Sequence, residues 1–410
     1  MKVFKFLLLK VINNHSAQNF MILCIIAVIQ LLNNIFLGRA LSKAEFAIYS
    51  FIYLNAAVLF ACYFVFGQDT AIIRYFSNKK ITDYNWKRYF ILIFVNRKYF
   101  MLLGVLLVIV ILYLYKLSWP IISAIMLATS FFVVNQLVVG IFRARSKFNR
   151  ALILERINPV VFLLCILLLG NRMDFFAVNL CKLFSLSLGG VALIYCFFKL
   201  KNGSKKVNQS IINDGNKIWF ITLAIFTLGK IDAFFILKLV GLESLAIFSM
   251  LVAVMQLFDF VALAFSNVYV NRFSKNGKIY LSKLFIVMFF VVLCLTVFYV
   301  IMTNPLLLIL FKGKYMASFT IVLLFCFIGS LKVFYVIISS YIFGIGTHKS
   351  IKMFSKIHFI CIIIKVLILI FFGSKGLSWI LLSSIVELIF RNIGGGIIVH
   401  FEKIKVKLKT

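Results

Sequence analysis

Nine ionisable side chains interrupt the long apolar runs of this chain: Lys182, Lys230, Asp232, Lys238, Asp259, Lys332, Lys365, Glu387 and Arg391. In hydrocarbon each costs about 2.5–3.5 kcal/mol at mid-depth, and less near a helix end. Several kept together imply compensating pairs or a water-filled cavity. Six are cations and three are anions. A cavity with that bias favours an anionic group such as phosphate or pyrophosphate. Snorkelling to the interface suits Lys238 and Lys182 and suits Lys365 less well.

Depth groups these residues. Counted from the cytoplasmic end at about 1.5 Å per residue, Lys230, Asp259 and Lys332 lie about 17 Å deep, Asp232 and Glu387 about 20 Å, and Arg391 about 14 Å. Six charges at one level form a ring around a shared cavity. Lys230 and Asp232 are two apart, roughly 200° around a helix, so they face different partners, and Lys230 with Asp259 is the pair the depths favour. Glu387 and Arg391 stand at i, i+4 in the favourable order and pair along one helix, as a purely structural pair also would. On this reading Lys230, Lys332 and Arg391 are the substrate-binding candidates, and Asp232, Asp259 and Glu387 the coupling candidates. Ser249, Gln256, Asp259 and Asn267 fall roughly on one helix face. The first half carries neutral groups instead: Gln30, Asn33, Asn34, Asn55, Asn135 and Gln136. Such amides commonly bond between helices and also bind sugar hydroxyls. Asn33, Asn34, Asn55 and Gln256 are the candidate polar lining of the cavity.

The elements that position these groups follow from composition. Of 410 residues, 64% are hydrophobic and 13% charged, whereas a soluble domain carries about a quarter charged. Lipid must solvate most of the chain, and continuous apolar runs exclude the alternation of a β-barrel. Runs of about twenty residues place spans near 15–37, 46–67, 91–115, 118–142, 151–169, 175–198, 218–239, 245–270, 283–303, 317–343, 357–372 and 377–400. Alternating the loops then assigns 31 Lys and Arg to one side and 7 to the other. The basic side is the cytoplasm, which puts both termini there. The opening MKVFKFLLLK reads as an uncleaved cytoplasmic lead. The opposite loops are short, the longest near 304–316.

The net charge of +33 would suggest nucleic acid in a soluble protein. Here the basic residues punctuate apolar segments, so topology and anionic headgroups account for them and no nucleic-acid partner is expected. The eight cysteines lie in or at the ends of apolar runs without a C-x-x-C pair, and the four histidines are scattered. Neither disulfide, metal site nor cofactor is expected. Gly344–Ser350 (GIGTHKS) lacks the glycine a phosphate loop needs before its lysine and follows a span rather than a strand.

Six spans and then six predict two lobes in the same orientation, related by a parallel repeat. Ala47-Ile48-Tyr49-Ser50 resembles Ala246-Ile247-Phe248-Ser249, and Phe76-Ser77 matches Phe273-Ser274. Ile141-Phe142 and Lys147 match Ile342-Phe343 and Lys349, while Arg156-Ile157 corresponds to Lys356-Ile357; all lie 197 to 202 residues apart. Pro120 and Pro305 both fall between the third and fourth span of their half. The expected organisation is an N-terminal lobe, 1–198, a polar basic linker, 199–217, and a C-terminal lobe with a basic tail, 218–410.

Segment 36–80 carries a family likeness in Gly38-Arg39, Leu41-Ser42, Glu45-Phe46, Gly67 and Arg74. It resembles the start of Wzx-type polysaccharide repeat-unit flippases of the multidrug/oligosaccharidyl-lipid/polysaccharide exporter superfamily. The resemblance implies an all-α integral membrane protein of about twelve helices in two six-helix lobes, with no catalytic residues. It implies a transporter that flips an undecaprenyl-pyrophosphate-linked oligosaccharide across the bacterial cytoplasmic membrane, in O-antigen or capsule biosynthesis. The lobes would rock around a central cavity, coupled to a proton gradient through Asp232, Asp259 or Glu387. Implied partners are the lipid-linked oligosaccharide, the bilayer, and a polymerase and chain-length regulator of the same pathway. The rivals are a polymerase or acyltransferase of that pathway, and a drug or small-solute exporter of the same superfamily. A large outer loop, which such an enzyme usually needs, is missing.

Overall fold

In lipid a backbone must satisfy its own hydrogen bonds, so apolar runs of this length form helices. The computed structural model describes residues 15–64, 86–144, 148–199, 209–262, 265–266, 281–345 and 347–407. The described residues contain twelve helical passes in chain order. The first six are α1 (His15–Ala40), α2 (Lys43–Phe64), α3 (Trp86–Leu114), α4 (Trp119–Ala144), α5 (Phe148–Leu169) and α6 (Phe175–Lys199). Next come α7 (Gln209–Phe235) and α8, broken into Leu242–Val254 and Gln256–Ala262. The last four are α9 (Leu281–Phe311), α10 (Phe319–Ile345), α11 (His348–Phe372) and α12 (Leu377–Lys407). Seven are long and apolar enough to cross a membrane, two bent pairs would add two more, and α1, α5 and α6 contribute shorter apolar stretches. The protein is an all-α, multi-pass membrane protein. Gly67, Arg74 and Asn267 lie outside the described residues, as do Phe76-Ser77, Lys147, Phe273-Ser274 and 200–208 of the expected linker, while its remaining part, 209–217, is helical and opens α7.

By packing, the chain divides into a unit of Met1–Ala47 with Ile231–Thr410 and a unit of Ile48–Lys230. Both boundaries fall inside helices, in α2 and α7. The first is called the composite unit below and the second the middle unit. The repeat is a separate matter, and it shows in how helices end. Among the described residues two that are not glycine adopt positive φ, Lys116 (53°) and Lys312 (52°). They follow α3 and α9, the third helix of each half. Single 3₁₀ turns, Gly170–Arg172 and Gly373–Lys375, follow α5 and α11, the fifth of each half.

Several boundaries differ from the sequence reading, and α7 and α11 each begin nine residues before their expected spans. Pro305 lies inside α9, which continues to Phe311. A proline is tolerated within a membrane helix where neighbouring groups satisfy the freed carbonyl, so the outer loop is shorter than expected. Two π-helical stretches also depart from regular geometry. In α2 it covers Phe51–Ala56, and Asn55 Nδ2 there donates to Ser50 O at 3.1 Å. After α7 it covers Ile236–Val240 and ends at Gly241, whose φ of 110° suits only glycine and turns the chain straight into α8.

Candidate functional site

The deepest charges of the composite unit form one buried network. Lys365 of α11, 1% exposed, donates from Nζ to Asp232 Oδ2 of α7 at 2.9 Å and lies 3.9 Å from Glu387 Oε2 of α12. Ser384 Oγ donates to the same Asp232 oxygen at 2.7 Å. Arg391 Nη1 donates to Glu387 Oε1 at 2.7 Å, and its guanidinium carbon sits 3.9 Å from the ring centroid of Tyr335 on α10. The Tyr335 hydroxyl meets His358 Nε2 at 2.6 Å, and His358 Nδ1 meets Phe354 O at 2.7 Å. A carbonyl can only accept, so Nδ1 carries the proton and Tyr335 donates to Nε2. Two ammonium or guanidinium groups and two carboxylates neutralise one another here. The expected cationic surplus at this level is therefore absent from the network. Asp232 Oδ1 is buried without a partner.

A second pair is open. Lys332 Nζ of α10 donates to Asp259 Oδ1 at 3.3 Å, with the two side chains 43% and 51% exposed. The Asp259 carboxylate, assigned to Lys230 by depth, is thus met by Lys332. Asp259 follows the break in α8, where Met255 leaves helical geometry at φ −87°, ψ 15° and the two halves bend by 47°. Gln256 is the first residue after the break and is partly exposed. Broken spans put polar backbone and side chains where a cavity can use them. Chemically this pair offers a donor and an acceptor to a ligand without the cost of opening a buried ion pair.

The other candidates take separate places. Asn33 and Asn34 are buried in α1. Asn55 is buried and bonds its own helix. Lys230 is partly exposed and ends the middle unit. The network therefore gathers Asp232, Glu387 and Arg391, while Asp259, Lys332 and Gln256 cluster at the α8 break.

Two arrangements escaped the sequence reading. The count of 31 basic residues on the cytoplasmic side takes in segment 68–98 and with it Arg97, yet Arg97 is 5% exposed inside α3. Its Nε and Nη2 donate to Asn216 Oδ1 at 3.0 and 2.6 Å, and Nη1 donates to Phe64 O at 3.1 Å. Trp219 Nε1 donates to Cys62 O and Tyr63 O at 3.1 and 2.8 Å, so both side chains bond to backbone carbonyls of α2. Asn96, Arg97, Asn216 and Trp219 line a cavity of about 90 Å³ with Tyr63 and Met101. The run FILIFV before Arg97 was the available signal.

The second arrangement explains the motif of segment 36–80. Arg39 donates to Leu310 O at 2.7 Å and Ile309 O at 3.1 Å, at the end of α9. Lys314, after α9, donates in return to Gly38 O and Leu41 O at the end of α1. Each cation caps the other helix's free carbonyls, where the helix dipole favours positive charge. Burial holds the Lys314 ammonium below the usual lysine range, while the Glu45 carboxylate draws it back. A Cβ on Gly38 would lie 2.7 Å from Met250 Cε and 2.8 Å from Phe311 Cδ1. Ser42 and Glu45 form a capping box, with Ser42 N donating to Glu45 Oε2 at 2.8 Å.

A family model described as "Polysaccharide biosynthesis protein" matches residues 16–257, more than half of the chain. No curated protein matches the sequence. Among solved structures, the lipid II flippase MurJ in an inward closed conformation is similar at a TM-score of 0.68, with 14% identity, covering 94% of this chain and 87% of that one. An inward-facing multidrug resistance MATE family transporter of the MOP superfamily is similar at 0.62 and 14% identity, covering 92% and 96%. A MOP superfamily transporter from Pyrococcus furiosus, described as having a binding pocket of reversed polarity, is similar at 0.55 and 15% identity, covering 95% and 97%. At these identities the likeness establishes a shared fold.

Proposed function

Because the chain belongs to the polysaccharide biosynthesis protein family, we propose that it flips a lipid-linked oligosaccharide across the bacterial cytoplasmic membrane by alternating access. The single observation that carries this reading is the open Lys332–Asp259 pair beside the break in α8. A cation and a carboxylate kept half-exposed within apolar helices need water around them. A water-filled chamber suits a sugar diphosphate, while the lipid tail stays in the bilayer. Lys332 would meet the diphosphate, and Gln256 with Asn33 and Asn34 the sugar. Of the coupling candidates, Asp259 is the accessible one, whereas Asp232 and Glu387 are bound into the buried network. The substrate would be an undecaprenyl-pyrophosphate-linked repeat unit of O-antigen or capsule, handed on to a polymerase and its chain-length regulator. Both termini would face the cytoplasm.

A deletion strain tests the reading. Loss of a flippase leaves single lipid-linked repeat units facing inward, detected by mass spectrometry of extracted lipids. A polymerase defect would instead bring one unit to the surface. Normal polysaccharide with altered drug sensitivity would replace the flippase with a drug exporter, the reading that the MATE likeness favours.

A further inference from the structure

Lys182, one of the intramembrane cations of the middle unit, has no carboxylate beside it among the described residues. Lys182 lies on α6, seven residues after Phe175, and its Nζ sits 4.6 Å from the ring centroid of Phe162 on α5. Phe162 is in turn seven residues before Leu169, where α5 ends. The ammonium therefore stays level with the ring at the same height, about 10 Å from the connecting turn, rather than reaching along its helix toward water. This removes the snorkelling account. Phe162 stacks on Tyr49 at 6.0 Å, and Tyr49 packs on Tyr53 at 5.0 Å. Among the described residues no carboxylate lies within 4 Å of Lys182 Nζ.

Two unpartnered acceptors lie about one helical turn to either side of its level. Asn179 precedes Lys182 by three residues, on the same face of α6, and Asn158 precedes Phe162 by four on α5. The Oδ1 atoms of both are buried without a hydrogen-bond partner, and Asn158 is 6% exposed. Buried acceptors left open in this way ask for a donor from outside the protein. A face-on ring holds an ammonium more weakly than an oxyanion does. The Phe162 ring is then a resting position that the ammonium leaves when an anion arrives. Lys182 is partly exposed.

We propose that Lys182, with Asn179 and Asn158, forms an oxyanion subsite in the middle unit that takes a diphosphate or acidic sugar, the asparagine oxygens accepting from sugar hydroxyls. The proposal deepens the flippase reading and rests on it for the identity of the substrate. The subsite itself does not depend on that identity.

The test measures binding to purified protein in nanodiscs. The probes are undecaprenyl diphosphate, uncharged undecaprenol, inorganic diphosphate and glucuronate. Wild type should bind at least one anionic probe and not undecaprenol. Undecaprenyl diphosphate or inorganic diphosphate identifies the diphosphate as the source; glucuronate identifies an acidic sugar. Lys182→Met should weaken binding of that probe at least tenfold and flatten its salt dependence, and Lys182→Arg should stay within about threefold of wild type. A folding defect is separated by unfolding temperature, which Lys182→Met should leave within a few degrees. Binding by Lys182→Met that equals wild type, or no anionic probe binding to wild type, overturns the subsite. If binding depends on Lys182 but the gene fails to clear lipid-linked units in the deletion strain, the subsite stands and the flippase reading falls.

Discussion

The composite unit and the middle unit treat an intramembrane cation in opposite ways. In the composite unit Lys365, Arg391 and Lys332 each meet a carboxylate within 4 Å. In the middle unit Arg97 donates to an amide oxygen and a backbone carbonyl, and Lys182 rests on a benzene ring. Neutral acceptors satisfy hydrogen-bond donors without cancelling their charge. The three acids counted from the sequence are thus each matched by a cation within the composite unit, whereas the charge of Lys182 in the middle unit meets no carboxylate among the described residues. Removing a cation should cost stability where it neutralises an acid, and should mainly alter the local field where it does not.

The largest effect should come from Lys365→Met. It leaves Asp232 and Glu387 buried together without their shared cation, at a cost of about 3–5 kcal/mol. The unfolding midpoint in detergent reads this directly. Adding Asp232→Asn should recover a large part, because the neutral amide no longer needs a counter-charge. If Lys365→Met unfolds with wild type, the network is not what holds α7, α11 and α12, and the contrast between units collapses.

How much of this could be read beforehand depends on whether the information is local. Span positions follow from apolar run length, and the Glu387–Arg391 pair follows from i, i+4 spacing; both are local. The Lys365–Asp232 pair joins residues 133 apart. Counting residues along a helix gives height but not rotation, so depth placed Lys230 and Lys332 alike level with Asp259 and favoured Lys230, whereas Lys332 is the cation found against it. Arg97 was hidden because a hydropathy boundary assigns a basic residue near a helix start to the loop. The break at Met255 has no Pro or Gly to announce it. Gly38-Arg39 and Glu45 were visible as a motif, but their work in tying α1 to α9 needs Leu310 and Lys314, which lie over 260 residues away.

Arg97→Met tests the other side of the comparison at intermediate size. It removes three hydrogen bonds and leaves Asn216 Oδ1 and Phe64 O short of donors, at a cost of about 1–3 kcal/mol. A double-mutant cycle with Asn216→Ala should show coupling of roughly 0.5–3 kcal/mol. A loss as large as that of Lys365→Met would mean that Arg97 also compensates a charge.

Lys182→Met should cost less, about 0.5–1 kcal/mol for the lost ring contact, or up to about 2 if the ammonium is fully desolvated. Methionine keeps most of the volume against Phe162. A stability gain would sharpen the comparison further, since it would show that folding alone disfavours the charge.

The smallest stability effect is expected at Lys332→Met, and its size decides what surrounds the open pair. If Lys332 and Asp259 face water within the membrane, their attraction is screened and losing it costs about 0.2–1 kcal/mol, falling as salt rises. If they face hydrocarbon, the uncompensated Asp259 costs several times more and salt has little influence. The unfolding midpoint of Lys332→Met at two salt concentrations separates these cases. A small, salt-dependent loss of stability accompanied by loss of flipping would place water at the α8 break, as a transport chamber requires. A large salt-independent loss would make the pair a second structural clasp like Lys365 and Asp232, and would leave the composite unit without an accessible charge in this region.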